Sequence, residues 1–73
     1  MLVIVKMKNG TMYKGIKCGS DSGLVYLVNP CILFKDNRGK CDGLLESPVG
    51  NEVNGVRVLQ IPIMDIEKIE SSR

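Results

Sequence analysis

Basic and aromatic side chains are the residues of this 73-residue sequence whose types could bind a ligand. The first forty residues hold seven lysines and arginines against two acidic residues, a net charge of +5, whereas the rest hold three against six, a net charge of −3. A basic half of this kind is suited to contact with a phosphate backbone. The candidate cations are Lys6, Lys8, Lys14, Lys17, Lys35, Arg38 and Lys40.

Tyr13 and Tyr26 are the only tyrosines, and their rings could stack on exposed bases. Tyrosines in strands are, however, more often part of the core, and lysines along strands also guard sheet edges against aggregation. The charge and aromatic patterns therefore leave nucleic-acid binding and a purely structural role both open.

The residues that catalysis or a metal site would need are missing from the sequence. There is no histidine and no G-x-x-x-x-G-K phosphate loop, and Cys18, Cys31 and Cys41 form no C-x-x-C pair. We therefore expect no catalytic residue, no cofactor and no metal, and we expect the cysteines to be reduced thiols in the cytoplasm. No apolar run approaches the roughly 18 residues of a membrane-spanning helix, so we expect no membrane partner.

Short strands separated by turn residues predict a single domain over residues 1–73. The predicted strands cover residues 2–8, 11–18, 24–29 with an extension past Pro30, 55–63, and 65–71, the last as a strand or a single turn leading into one. Asn9 and Gly10 predict a tight hairpin turn with two positive φ angles. Residues 35–54, rich in Gly, Asp, Asn, Ser and Pro, predict a long loop or hairpin excursion.

Gly15 lies inside the second predicted strand, where a glycine marks a bend or a close backbone approach. Together with five short strands and no helical segment of ten residues, it predicts an all-β fold, a small and strongly bent five-stranded barrel. A chain of this length buries only about 60% of its unfolded surface, so we expect a partner chain to supply further stability.

The spacing of the glycines and of one aspartate resembles the first motif of the Sm-like family, which includes the eukaryotic Sm and LSm proteins and bacterial Hfq. The motif has an apolar pair, a turn glycine, an aromatic or apolar residue, a second glycine, an aspartate and an apolar third strand. The matching residues are Val5, Met7, Gly10, Tyr13, Gly15, Asp21, Leu24, Tyr26 and Val28. The match covers roughly residues 3–29.

This resemblance implies a homo-oligomeric ring of about five to seven copies, in which the fourth strand of one copy pairs with the fifth strand of the next. Such pairing would remove two exposed sheet edges. The candidate interface residues are Val58, Ile61, Ile63, Ile66 and Ile69. The family also implies single-stranded RNA as the ligand, with no catalysis.

The sequence departs from the family pattern at the RNA pocket. Members that bind uridine-rich RNA have a polar residue two positions after the aspartate and an asparagine four positions after it, where this chain has Gly23 and Val25. The Arg-Gly or Lys-Gly pair of the second motif is replaced by Pro62 and Ile63. Lys17 also stands at a usually apolar position. We therefore expect weak sequence preference.

Two other functions remain open at this stage. A scaffold ring could use residues 35–54 to contact a protein partner, with the lysines serving only solubility. A monomeric Src-homology-like barrel could bind a peptide in a groove, but such grooves need clustered aromatics, and this chain has only three aromatic residues.

Overall fold

Seven β-strands make up most of the computed structural model, which describes residues 1–35 and 44–72. They are β1 (Leu2–Met7), β2 (Met12–Asp21), β3 (Leu24–Lys35), β4 (Leu44–Pro48), β5 (Asn51–Val53), β6 (Val56–Pro62) and β7 (Ile66–Ser71), with a 3₁₀ turn at Ile63–Asp65. The predicted all-β class is confirmed for the described residues. Their one helical segment, the 3₁₀ turn, is far too short to cross a membrane.

The strands form one antiparallel sheet in the order β5-β6-β3-β2-β1-β7. Strand β3 is the longest and has two partners along the same edge. Its first half, Leu24–Val28, pairs with β6, and its second half, from Cys31 to Lys35, pairs with β4. Strand β7 returns to pair with β1, so the chain ends at the opposite side of the sheet from β5.

The predicted five-stranded barrel is wrong in two respects. The described residues contain seven strands, and the sheet does not close, because β6 and β7 are not paired with one another. The 3₁₀ turn instead carries the chain from the end of β6 to the start of β7. Within the described residues, the outer edges of β4, β5 and β7 and the part of β6 beyond its pairing with β5 are therefore left unpaired.

The predicted strong bend is supported by the position of this 3₁₀ turn. Its Ile63 N–H donates to the Gly23 carbonyl at 2.8 Å, beside one end of β2, and its Asp65 carbonyl accepts from the Lys8 N–H at 2.9 Å, beside the other end. A flat ten-residue strand would span about 30 Å, which three residues cannot bridge. Strand β2 must therefore curve so that both of its ends approach the same turn.

Gly15 is the residue that permits this curvature. It is buried, and a Cβ atom built on it would lie 3.2 Å from the Leu27 Cβ and 3.2 Å from the Pro30 Cα. The register of β2 against β3 shifts between Lys14 and Ile16, and again between Lys17 and Gly19. The predicted bend or close approach at this glycine is confirmed, and both are present.

The hairpin turns differ in part from the predicted ones. At the β1–β2 turn only Gly10 has a positive φ, of 94°. The Gly10 N–H donates to the Met7 carbonyl, and the Asn9 Oδ1 accepts from the Thr11 N–H. This is a type I turn followed by a left-handed glycine, not the expected pair of positive φ angles. Such pairs occur instead at Ser22–Gly23 and at Asn54–Gly55.

Five apolar side chains form the core on the inner face of the bent sheet. They are Val3, Val5, Val25, Leu27 and Ile61, each at most 3% exposed. They alternate along β1, β3 and β6, as expected for strands with one buried face. Burial of each contributes about 1.5–3 kcal/mol. This core is small, and several large apolar side chains remain exposed, including Met64 and Phe34.

The predicted excursion over residues 35–54 is partly a regular structure. Leu44–Pro48 form β4 against the second half of β3, and Asn51–Val53 form β5 against β6. The Asn54–Gly55 turn, which the prediction placed at the end of a loop, closes the β5–β6 hairpin. The remainder, residues 36–43, lies outside the described residues.

Candidate nucleic-acid interface

The turn region, which we define as residues 21–23 together with residues 62–65, brings together two segments that lie about forty positions apart in the sequence. The link is the hydrogen bond from the Ile63 N–H to the Gly23 carbonyl, 2.8 Å long. Gly23 and Ile63 are also the positions at which the family resemblance puts the RNA pocket. The sequence separates them, and the fold makes them neighbours.

The side chains of the turn region offer few groups to a ligand. Asp21 is exposed, and its Oδ1 accepts a 3.3 Å hydrogen bond from the Ser22 hydroxyl. Gly23 has a φ of 79°, which a glycine adopts without strain. Val25 is only 3% exposed and belongs to the core, so its side chain is unavailable to RNA. The structure thus places the Val25 candidate in the core of the chain.

The two tyrosines differ in their surroundings. Tyr13 is half-buried and packs against the core. Tyr26 is half-buried, stands opposite Gly19 on β2 and Gln60 on β6, and belongs to neither the core nor its packed shell. Tyr26, which follows residues 21–23 of the turn region in the sequence, therefore has an aromatic ring that does not pack against the core.

Two of the candidate lysines are paired with carboxylates. Lys6 Nζ lies 3.4 Å from Glu67 Oε2, and Lys14 Nζ lies 3.4 Å from Glu46 Oε1. Both pairs are partly exposed, and such pairs contribute little stability. Their importance is electrostatic, because each carboxylate cancels much of the field that its lysine would present to a phosphate.

Two other lysines, Lys8 and Lys17, are exposed and make no ion pair with residues 1–35 or 44–72. Lys8 lies next to the turn region, in a small groove that it forms with Met7, Asn9 and Asp65. Lys35 is exposed at the end of β3. Arg38 and Lys40 fall outside the described residues. The described candidate cations are thus spread over the molecule.

A third ion pair lies on β7, where Lys68 Nζ approaches Glu70 Oε1 to 2.8 Å. The hydrogen bond and the charge of Lys68 lower the pKa of the Glu70 carboxyl. The hydrogen bond and the charge of Glu70 raise the pKa of the Lys68 ammonium. Both side chains are more than half exposed, so solvent screens the pair.

The candidate interface residues separate into two groups. Ile61 is 2% exposed in the chain's own core, and Ile66 packs against that core. Val58 is half-buried, whereas Ile63 is 47% exposed and Ile69 is 38% exposed. The last two project from the turn region and β7, where no other part of the described chain covers them.

The open edges of β6 and β7 present backbone groups that have no strand partner. Successive N–H groups of a strand point to opposite edges. The Ile63 N–H points toward β3. The backbone groups that point the other way belong to Gln60, with its N–H and C=O, and to Pro62, with its C=O. Both residues lie beyond the part of β6 that pairs with β5. The Ser72 N–H donates to the Leu2 carbonyl. By the same alternation, the backbone N–H and C=O groups of Ile69 and Ser71 point to the open edge of β7.

A groove of about 260 Å³ lies at this edge of β6. It is lined by Asn51, Val53, Val58, Leu59 and Gln60. Apolar and polar side chains share the lining of this groove, and Ile69 is exposed on the strand at the other end of the sheet.

Arg57 is a functional candidate that the sequence reasoning missed. It is half-buried on β6, and its Nη1 donates to the Gly50 carbonyl at 3.2 Å. The sequence feature that could have identified it is a single arginine between Val56 and Val58, in an otherwise mostly apolar strand. Within residues 1–35 and 44–72 no cluster of three His, Cys, Asp or Glu side chains could hold a metal ion.

The chain matches no protein-family model, no curated protein and no solved structure.

Proposed function

We propose that this protein is a non-enzymatic, cytoplasmic, ring-forming protein of Sm-like type that binds single-stranded RNA with weak sequence preference. The observation that carries the proposal is the contact between Gly23 and Ile63. These are the positions of the family's RNA pocket, and they lie side by side although forty residues separate them in sequence.

The ring is supported by the two open strand edges. An exposed edge is a template for pairing with another chain, and the resemblance implies that the fourth-strand edge of one copy pairs with the fifth-strand edge of the next. Here those edges belong to β6 and β7. Because the two edges lie on opposite sides of one chain, the contact is head-to-tail and propagates into a closed ring or a filament.

Weak sequence preference follows from the groups available in the turn region. Gly23 has no side chain and Val25 is buried, so what remains for RNA is backbone, the Asp21 carboxylate and the face of Tyr26. Stacking on an aromatic face tolerates every base. Lys8 and Lys17 supply attraction to phosphates, and a ring would repeat that attraction in every copy.

The test is a titration of protein into a fluorescently labelled single-stranded RNA of about ten nucleotides, at low and at physiological salt. We expect binding at low salt that weakens about tenfold or more between about 50 and 200 mM salt. An RNA duplex of the same length is the control and should bind more weakly. Absence of binding at low salt would refute the RNA proposal.

A second candidate, a scaffold ring without RNA binding, is favoured by one specific observation. Glu67 and Glu46 pair with Lys6 and Lys14, so two of the seven candidate cations present a weakened positive field. In that case the protein should still assemble, but it should retain no RNA when purified without nuclease. Release of nucleotides from such a preparation by ribonuclease would decide for RNA.

A further inference from the structure

A cleft opens where β3 changes partner. Val28 is the last residue of β3 that pairs with β6, and Cys31 is the first that pairs with β4. Between them Asn29 and Pro30 have no strand neighbour on that edge. The resulting cleft has a volume of about 250 Å³ and is lined by Asn29, Pro30, Cys31, Pro48 and Arg57.

The lining of this cleft combines apolar surfaces with two polar side chains. Pro30 is buried, and Pro48 belongs to β4. The polar members are the amide of Asn29, which both donates and accepts, and the guanidinium of Arg57, which only donates. A mainly apolar pocket with a few convergent polar groups is the usual form of a small-molecule site.

The backbone around the cleft holds both polar residues in place. The Arg57 Nη1 donates to the Gly50 carbonyl, and no other hydrogen bond or ion pair of this guanidinium is made to residues 1–35 or 44–72. Asn29 is exposed and has a φ of 52°, a left-handed conformation that asparagine adopts more readily than most residues.

We propose that this cleft binds one base of a single-stranded RNA, an inference that rests on the proposed function. The volume is below the roughly 300–1,000 Å³ of pockets for drug-sized ligands, so it suits a single ring system. The proline rings and the Cys31 side chain give that ring an apolar contact surface. Asparagine and arginine can hydrogen-bond base edges, and the bases of single-stranded RNA have their edges free for such contacts.

The cleft and the turn region lie at different places on the sheet, so one strand of RNA could contact both in passing. The turn region supplies backbone groups and one aromatic face. The cleft supplies side-chain hydrogen bonds to a base. The cleft therefore predicts a base-dependent affinity component that is lost when Asn29 or Arg57 is substituted, in addition to any stacking on Tyr26.

The experiment compares a short oligouridylate with an abasic oligomer of equal length and charge, each titrated against the protein and two variants. Asn29→Gly removes the amide while glycine accepts the positive φ without strain. Arg57→Lys keeps the positive charge but loses the planar set of donors. Circular dichroism and thermal unfolding of both variants check that the fold is retained.

We expect the wild-type protein to bind oligouridylate at least about tenfold more tightly than the abasic oligomer, as expected for two or three hydrogen bonds. Each variant should reduce this ratio to about threefold or less, with affinity for the abasic oligomer unchanged. An unchanged ratio in both folded variants would overturn the cleft proposal and leave RNA binding intact. Failure of wild-type protein to bind either oligomer would instead overturn the proposed function.

Discussion

The turn region around Gly23 and Ile63 and the cleft around Asn29 and Arg57 are both places where regular strand pairing stops, yet they offer a ligand different groups. In the turn region two distant segments are joined by a backbone hydrogen bond, and few side chains are available. In the cleft the strands abut without pairing, and two polar side chains converge. The first arrangement favours contacts that ignore base identity, and the second favours contact with a base.

Leu27→Ala should have the largest effect, because it removes support that both regions share. Leu27 is fully buried at the centre of β3, between the turn region and the cleft. Truncation of a buried leucine to alanine costs about 2–5 kcal/mol, which is a large part of the stability of a small domain. Urea denaturation followed by circular dichroism measures the loss.

The matched control for this change is Ile16→Ala on the opposite face of the sheet, where Ile16 is 42% exposed. It should cost less than about 1 kcal/mol, since most of the side chain's surface is already in water. Equal losses for the two variants would mean that the inner face is not the core.

Gly50→Ala should affect the cleft and leave the turn region nearly unchanged. An added Cβ atom would lie 2.5 Å from the Val58 carbonyl oxygen, and the φ of 91° is unfavourable for alanine. The backbone that holds Arg57 must therefore move, with an expected loss of about 1–3 kcal/mol. Gly23→Ala, at a φ of 79° with no atom within 4 Å of the added Cβ, should cost only about 1 kcal/mol.

Hydrogen exchange of backbone amides distinguishes the two glycine variants. In Gly50→Ala the amides of β5 and the first half of β6 should exchange faster, while the Ile63 N–H keeps its protection. In Gly23→Ala the Ile63 N–H should be the amide that loses protection. Uniform acceleration in both variants would show that the two regions are not independent.

Removal of cations should separate Lys8 and Lys17, which make no ion pair with the described residues, from the lysines that are paired with carboxylates. Lys8→Gln together with Lys17→Gln should reduce the salt dependence of RNA binding, because each phosphate contact contributes about 0.7 to the logarithmic slope for single strands. Lys6→Gln together with Lys14→Gln removes the same charge, but Glu67 and Glu46 already neutralise those lysines. A larger slope change for the second pair would contradict the assignment.

Glu70→Gln should have the smallest effect and a defined pH dependence. Lys68 lowers the pKa of the Glu70 carboxyl in the folded chain. The ionised Glu70 carboxylate therefore stabilises the fold above the ordinary carboxyl pKa, about 4.3, and this stabilisation is lost as pH falls through the lowered pKa. Any small stability difference between Glu70→Gln and the wild-type protein should thus be present at pH 7 and absent at low pH. Thermal unfolding at both pH values measures it.

The first three strands could be predicted from the sequence because their signals are local. Alternating apolar residues predicted β1, a continuous apolar run predicted residues 24–29 of β3 with an extension past Pro30, and Gly15 predicted the bend of β2. Strand β2 is longer than predicted and runs to Asp21, since only Ser22 and Gly23 are needed for the turn.

Strands β4 and β5 were missed for different reasons. Leu44–Pro48 lack alternation and become a strand because the second half of β3 offers them an edge. Strand Asn51–Val53 could have been predicted, since Asn54–Gly55 is a strong hairpin signal. The prediction instead included Asn54 in the loop or hairpin excursion.

The candidate site depends on long-range contacts that no local pattern encodes. Lys14 meets Glu46 across thirty-two positions, and Gly23 meets Ile63 across forty. Asn29 and Arg57 reach one cleft only because β3 exchanges β6 for β4 between Val28 and Cys31. Composition indicated which residues could bind RNA, but it could not show which of them are neutralised or buried.

Head-to-tail pairing of β6 with β7 is tested most directly by the native mass of the wild-type protein beside two proline variants. Ile69→Pro removes an N–H that points to the open edge, which an edge strand tolerates, whereas Glu70→Pro removes one that points to β1. We predict a wild-type mass of several chains, a folded single chain for Ile69→Pro, and an unstable Glu70→Pro. A single-chain mass for the wild-type protein at about micromolar concentration, or an intact assembly of Ile69→Pro, would contradict the account.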